Sequence, residues 1–103
     1  MNKFNEQILL VLRWLQNKNT VSADELRDNY RAAEATYAAA EANDVAANAA
    51  YATALTAYHA VDDAKHWLIE TKERLDEYFE LTKEDREAYE KQAKYLNVLS
   101  LSI

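Results

Sequence analysis

The residue types best suited to chemistry in this chain are His59, Asp62, Asp63, His66 and Glu70. Spacings of three, four and seven set several of them along one side of a helix, where imidazole nitrogens and carboxylate oxygens could hold a divalent cation. Carboxylate-bridged di-metal bundles, however, need a Glu-x-x-His motif on each of two helices and further glutamates facing them. Both histidines here lie on one segment, so the set is half a site and reads better as a solvated polar face. No metal and no cofactor are expected.

Other reaction types find less support. Most of the 18 acidic residues have a Lys or Arg within a turn and read as surface ion pairs rather than acid–base pairs. With no cysteine and no glycine, the chain has no thiol nucleophile, no thiolate ligand for zinc and no Gly-rich loop to cradle phosphate. No Ser, His and Asp arrangement stands out, so a non-enzymatic protein is expected. The net charge of −6 argues against direct binding of nucleic acid, which needs a basic face that releases counterions. An acidic surface that mimics nucleic acid is an alternative, weakened by the interleaved Lys and Arg. The apolar run Ile8-Leu9-Leu10-Val11-Leu12 is too short to span a membrane and has no small-residue cleavage site after it, so it reads as a packed helix of a cytoplasmic protein.

The tyrosines form the clearest pattern. Tyr30, Tyr37, Tyr51 and Tyr58 share one heptad position, and Leu26, Ala33, Ala40, Ala47, Ala54, Val61, Leu68 and Leu75 share the other seam position. Alanine at the inner sites lets helix axes approach closely, and each Tyr ring can cover the gap left by a small partner. Packing between helices is the first expectation for these rings. The functional one is a recognition face for a protein partner, because Tyr is enriched at interface hot spots. That face would comprise Tyr30, Tyr37, Tyr51 and Tyr58, with Asp62 and Asp63 at its end.

The elements that must position this stripe are all helical. Without Gly or Pro, and with Ala, Glu, Leu, Lys and Tyr dominant, hairpin turns and sheets are disfavoured. One domain over residues 1–103 is expected, with helices at about 3–17, 23–42, 45–80 and 83–97. Ser22-Ala23-Asp24-Glu25 is a capping box flanked by Val21 and Leu26 at hydrophobic-staple spacing, so a helix begins at Ala23. The tyrosine series skips a beat at Asp44. Either the chain turns back there, with Asn43 or Asp44 capping the next helix, or one helix runs from Ala23 to Glu80, about 87 Å at ~1.5 Å per residue. The turn is favoured. Trp67, Leu68, Leu75, Tyr78, Phe79 and Leu81 should form a bulky cluster against the N-terminal helix. Thr82-Lys83-Glu84-Asp85 signals the last helix, and Leu99 to Ile103 alternates like an extended tail. The fold class is an all-α bundle built on a long antiparallel helical hairpin or coiled coil, with shorter N- and C-terminal helices.

Through Tyr30 to Tyr58, Ala64-Lys65-His66-Trp67 and Glu77-Tyr78-Phe79-Glu80-Leu81-Thr82, the chain resembles the small Ala/Tyr-rich accessory proteins of tailed bacteriophages. The resemblance implies a protein made in a bacterial cytoplasm that binds a host protein, sometimes a defence component, and it supplies no catalytic residues. The expected function is therefore protein binding, as an accessory or inhibitory factor. The alternative is a self-assembling coiled-coil structural protein, in which the seam is satisfied in a homodimer rather than within one chain.

Overall fold

The computed structural model describes residues 4–40, 44–61 and 64–101. Five α-helices follow one another: α1 (Asn5–Gln16), α2 (Ala23–Ala39), α3 (Val45–His59), α4 (Ala64–Thr82) and α5 (Arg86–Leu101), with a 3-10 turn at Lys18–Thr20. Among the described residues there is no strand. The all-α bundle expected from composition is what forms.

Helix α1 buries Ile8, Leu9, Val11, Leu12 and Trp14, as its wide apolar side requires. It ends at Asn17, whose side chain accepts from the Asn19 amide at 3.0 Å and so favours the turn over another helical residue. The capping box opens α2 as its sequence dictates. The Ser22 hydroxyl accepts from the Glu25 amide and the Glu25 carboxylate accepts from the Ser22 amide, both at 3.1 Å, while Val21 and Leu26 are buried beneath it.

The chain does turn back after α2. Asp44 caps α3, its carboxylate accepting from the Ala47 amide at 3.0 Å, and α3 packs on α2. Asn43 lies outside the described residues. A single helix of ~87 Å has no place in a molecule whose longest dimension is 41 Å.

The expected helix over 45–80 is instead two helices. The Ala60 amide donates to the Thr56 carbonyl at 2.9 Å and the Val61 amide to the Tyr58 carbonyl at 3.3 Å, which ends α3; Val61 lies in this turn, 44% exposed, and α4 returns along α3. The seven-residue spacing keeps its phase through Val61, Leu68 and Leu75, so periodicity held no trace of this turn. The stripe is thus laid over three successive helices rather than one long rod. Most of its seam is nonetheless buried within the chain: Leu26, Ala33, Ala47, Ala54 and Leu75 are closed to solvent, Ala40 and Leu68 are half-buried, and Val61 alone is exposed. Between α3 and α4 the contact includes hydroxyls, with Thr71 donating to Thr56 Oγ1 at 3.1 Å inside the core.

The last helix is also displaced from its expected bounds. Thr82 belongs to α4, and Asp85 is the residue that caps α5, accepting from the Ala88 amide at 3.2 Å. Between them Lys83 takes φ 58°, the left-handed conformation that ends many helices and that glycine would adopt more easily. Helix α5 then continues to Leu101, so Leu99 to Leu101 is helical rather than an extended tail; Ser102 and Ile103 lie outside the described residues. Asn97, expected to end the helix, is buried and bonded to the N-terminal part of the chain. Its amide donates to the Arg13 carbonyl at 3.0 Å, and its oxygen accepts from Arg13 Nε at 3.0 Å and from Thr20 Oγ1 at 2.9 Å. These bonds hold α5 along α1.

The core joins Ile8, Val11 and Leu12 to Leu75, Tyr78 and Phe79, with Trp67 and Leu68 half-buried at its edge. Leu81, expected in this cluster, is 43% exposed. At 3.6 residues per turn it falls off the side of α4 shared by Leu75, Tyr78 and Phe79.

Candidate functional site

The four stripe tyrosines come together where α2 lies on α3. Tyr37 stacks on Tyr51 with centroids 5.0 Å apart, Tyr51 on Tyr30 at 5.9 Å, and Tyr30 on Tyr58 at 5.7 Å. The interplanar angles of 6°, 24° and 7° make this an offset stack, the arrangement that the ring quadrupole favours over a direct sandwich. Two helices contribute alternate rings. Tyr30, Tyr51 and Tyr58 are half-buried and Tyr37 is exposed, so the stack cements the helix pair and also presents aromatic surface.

The row continues into α4. Tyr58 contacts the His59 ring at 5.7 Å, His59 contacts Trp67 at 5.1 Å, and Trp67 meets His66 edge-on at 4.9 Å. Both histidines thus lie against the Trp67 indole. Among the described residues no group of three or more His, Cys, Asp or Glu side chains could hold a metal ion. Asp62 and Asp63, named both as ligand types and at the end of the recognition face, lie outside the described residues.

Glu34 was not singled out by sequence, yet it anchors the stack. Its Oε2 accepts from the Tyr30 hydroxyl at 3.0 Å and from the Tyr51 hydroxyl at 3.3 Å, tying phenols from two helices to one carboxylate oxygen. The Tyr51 hydroxyl, and then Glu34, push the Tyr30 phenol up to about 12, so it stays protonated as a donor at neutral pH. The signal was the i,i+4 spacing of Tyr30 and Glu34 on a helix, which brings a phenol to a carboxylate.

A second carboxylate takes two phenols between α4 and α5. Glu84 accepts from Tyr78 at 2.7 Å and from Tyr89 at 2.8 Å. Burial, and then the Glu84 carboxylate, push the Tyr89 phenol up to about 12 and raise that of Tyr78 as well. With Tyr78 inside the core, this clamp fixes the α4–α5 connection. The cleft of about 370 Å³ among α1, α4 and α5 is lined by Leu12, Lys72 and Asp76 together with Arg86 and Glu90. Arg86 is already bonded to both Asp76 and Glu90, which leaves the cleft without an unengaged guanidinium to capture an anion.

One further feature is apolar and exposed. On α5, Tyr95, Val98, Leu99 and Leu101 are between 44% and 63% exposed. Comparison of the chain with protein-family models, with curated proteins and with solved structures finds no match.

Proposed function

We propose that this chain is a non-enzymatic protein-binding factor that works as a folded helical bundle and offers its tyrosine face to a heterologous protein. The observation that carries this reading is the burial of the Ala seam inside one chain while Tyr37 remains 40% exposed at the end of the ring stack. A seam closed by α2 and α3 of the same molecule needs no second copy, and pre-stacked rings lose little conformational freedom when a partner covers them. The resemblance to accessory proteins of tailed bacteriophages makes a host or defence protein in the bacterial cytoplasm the concrete partner, with inhibition as the outcome.

The test is affinity capture from bacterial lysate with the full chain and with a Tyr37→Ser, Tyr51→Ser double variant of unchanged helicity. A protein retained by the parent and lost by the variant supports the reading. Equal capture by both sinks it. The exposed apolar residues of α5 favour a second reading, a homodimer joined through that helix. Light scattering over a concentration series separates the two, since a strictly monomeric species removes the second.

A further inference from the structure

Among the described residues, eight carboxylates are held by cations. Arg27, Arg74 and Arg86 each engage two of them, and Lys83 and Lys91 one apiece. Glu34 is different. It is exposed, its Oε2 takes the hydroxyls of Tyr30 and Tyr51, and among the described residues no cation reaches it within ion-pair distance. A carboxylate has about four acceptor positions over two oxygens, so two phenols on Oε2 leave Oε1 open. The phenols also hold the group in place beside the ring stack.

An ionised carboxylate fixed at the edge of stacked aromatic rings is complementary to one kind of side chain. A guanidinium is planar, donates in a fork matched to a carboxylate, and stacks on an aromatic face; an ammonium is compact and more strongly hydrated. Continuing from the protein-binding reading on which this rests, we infer that Glu34 and the Tyr37–Tyr51–Tyr30 stack form a docking site for an arginine side chain of the partner. The guanidinium pairs with Glu34 and lies against the exposed tyrosine surface. The net charge of −6 draws a basic segment toward the chain, and the anchored carboxylate gives it a fixed place to bind. Arg31, one turn before Glu34 and exposed, is the like charge on the same helix that opposes such a ligand.

The probe is a short end-blocked peptide carrying two arginines, with its two-lysine counterpart as the control, each titrated into the full chain and followed by amide and side-chain NMR shifts. Saturable shifts centred on Tyr30, Glu34, Tyr37 and Tyr51 are expected, with the arginine peptide several-fold tighter than the lysine one. Glu34→Gln should weaken binding about tenfold, the weight of one charge-assisted pair, and Arg31→Gln should tighten it. Equal affinity for the parent and Glu34→Gln overturns the inference. So do shifts spread evenly over the acidic surface with no preference for arginine. If the peptide fails while lysate capture still depends on Tyr37 and Tyr51, the arginine assignment falls and the protein-binding reading stands. If the peptide binds as expected and capture ignores those tyrosines, the site stands and the wider reading falls.

Discussion

The rings of Tyr37 and Tyr51 lie 6° from parallel with centroids 5.0 Å apart, and through this contact the end of α2 is held on the middle of α3. Tyr51 also stacks on Tyr30 and bonds Glu34, so it is the ring on which the helix pair depends most. Each stack contributes about 0.5–1.5 kcal/mol beyond the burial of its area. Tyr51→Ala removes two of them together with a hydrogen bond, offset by roughly 0.5 kcal/mol of better helix propensity, and should cost about 2 kcal/mol. Tyr37→Ala removes one stack from an exposed site and should cost about 1 kcal/mol or less. Urea denaturation of both variants checks the ranking, and the reverse order would show that the stack does not hold the helices.

Asn97 satisfies three polar groups at once between α5, α1 and the 3-10 turn. Asn97→Ala removes all three bonds, but the Arg13 carbonyl keeps the Asn17 amide at 3.0 Å and the Thr20 hydroxyl keeps the Asn17 carbonyl at 2.8 Å, so the expected loss is about 1–2 kcal/mol. Because the contacts anchor the C-terminal turns of α5, amide exchange should accelerate there before it does in α3. Uniform acceleration across the chain would contradict an anchoring role.

How far the sequence reached follows from which signals are local. The Ser22–Glu25 box and the Asp44 cap each depend on a side chain bonding an amide a few residues away, and both form where their sequences place them. The turn at Ala60–Val61 was not legible, because a connection that preserves the seven-residue phase leaves the periodic pattern intact. Asn97 misled for the opposite reason: its side chain suits a helix end, and only the approach of Arg13 from 84 residues away makes it a core residue. The four tyrosines were legible as a set. Glu34 had only the i,i+4 spacing from Tyr30 to mark it among 18 acidic residues, and the Tyr51 hydroxyl that completes its role comes from another helix.

Lys83 holds a left-handed φ of 58°, where a β-carbon costs about 1–2 kcal/mol. Glycine removes that cost but adds about 0.5–1 kcal/mol of unfolded-state freedom. The ion pair with Glu80 is solvent-exposed on both sides and contributes little. Lys83→Gly should therefore leave stability unchanged or raise it by up to about 1 kcal/mol, as read from the midpoint of thermal unfolding. A clear loss would mean that the side chain matters more than the backbone conformation it occupies.

The raised phenols of Tyr30 and Tyr89, each pushed up to about 12, and of Tyr78, raised by burial and Glu84, set the alkaline limit of the fold. The unfolded chain releases these protons near pH 10 while the folded chain keeps them, so the unfolded state binds fewer protons above that pH and stability falls as pH rises. Their contribution is complete below pH 10 and is lost as the pH passes through about 12. Part of the tyrosinate absorbance should therefore appear late, with Tyr30, Tyr78 and Tyr89 ionising well above pH 10 or together with loss of helical circular dichroism. A single transition covering all seven tyrosines while the helices persist would count against both phenol–carboxylate clusters.

The seam alanines decide between a stripe satisfied within the chain and one meant for a second copy. Ala47 and Ala54 have no exposed surface to speak of, at 0% and 1%, and they lie on α3 where it is covered by both α2 and α4. A leucine there must displace neighbours that are already in contact, at a cost of about 1–3 kcal/mol. In a self-assembling coiled coil the same change at a seam position adds apolar burial between chains and strengthens association. Ala47→Leu and Ala54→Leu should thus each lower the urea midpoint and leave the mass by light scattering unchanged. A variant that became more stable as protein concentration rose would transfer the stripe from the inside of one molecule to the interface of two, and with it would fall the reading in which Tyr30, Tyr37 and Tyr51 are left for a different partner.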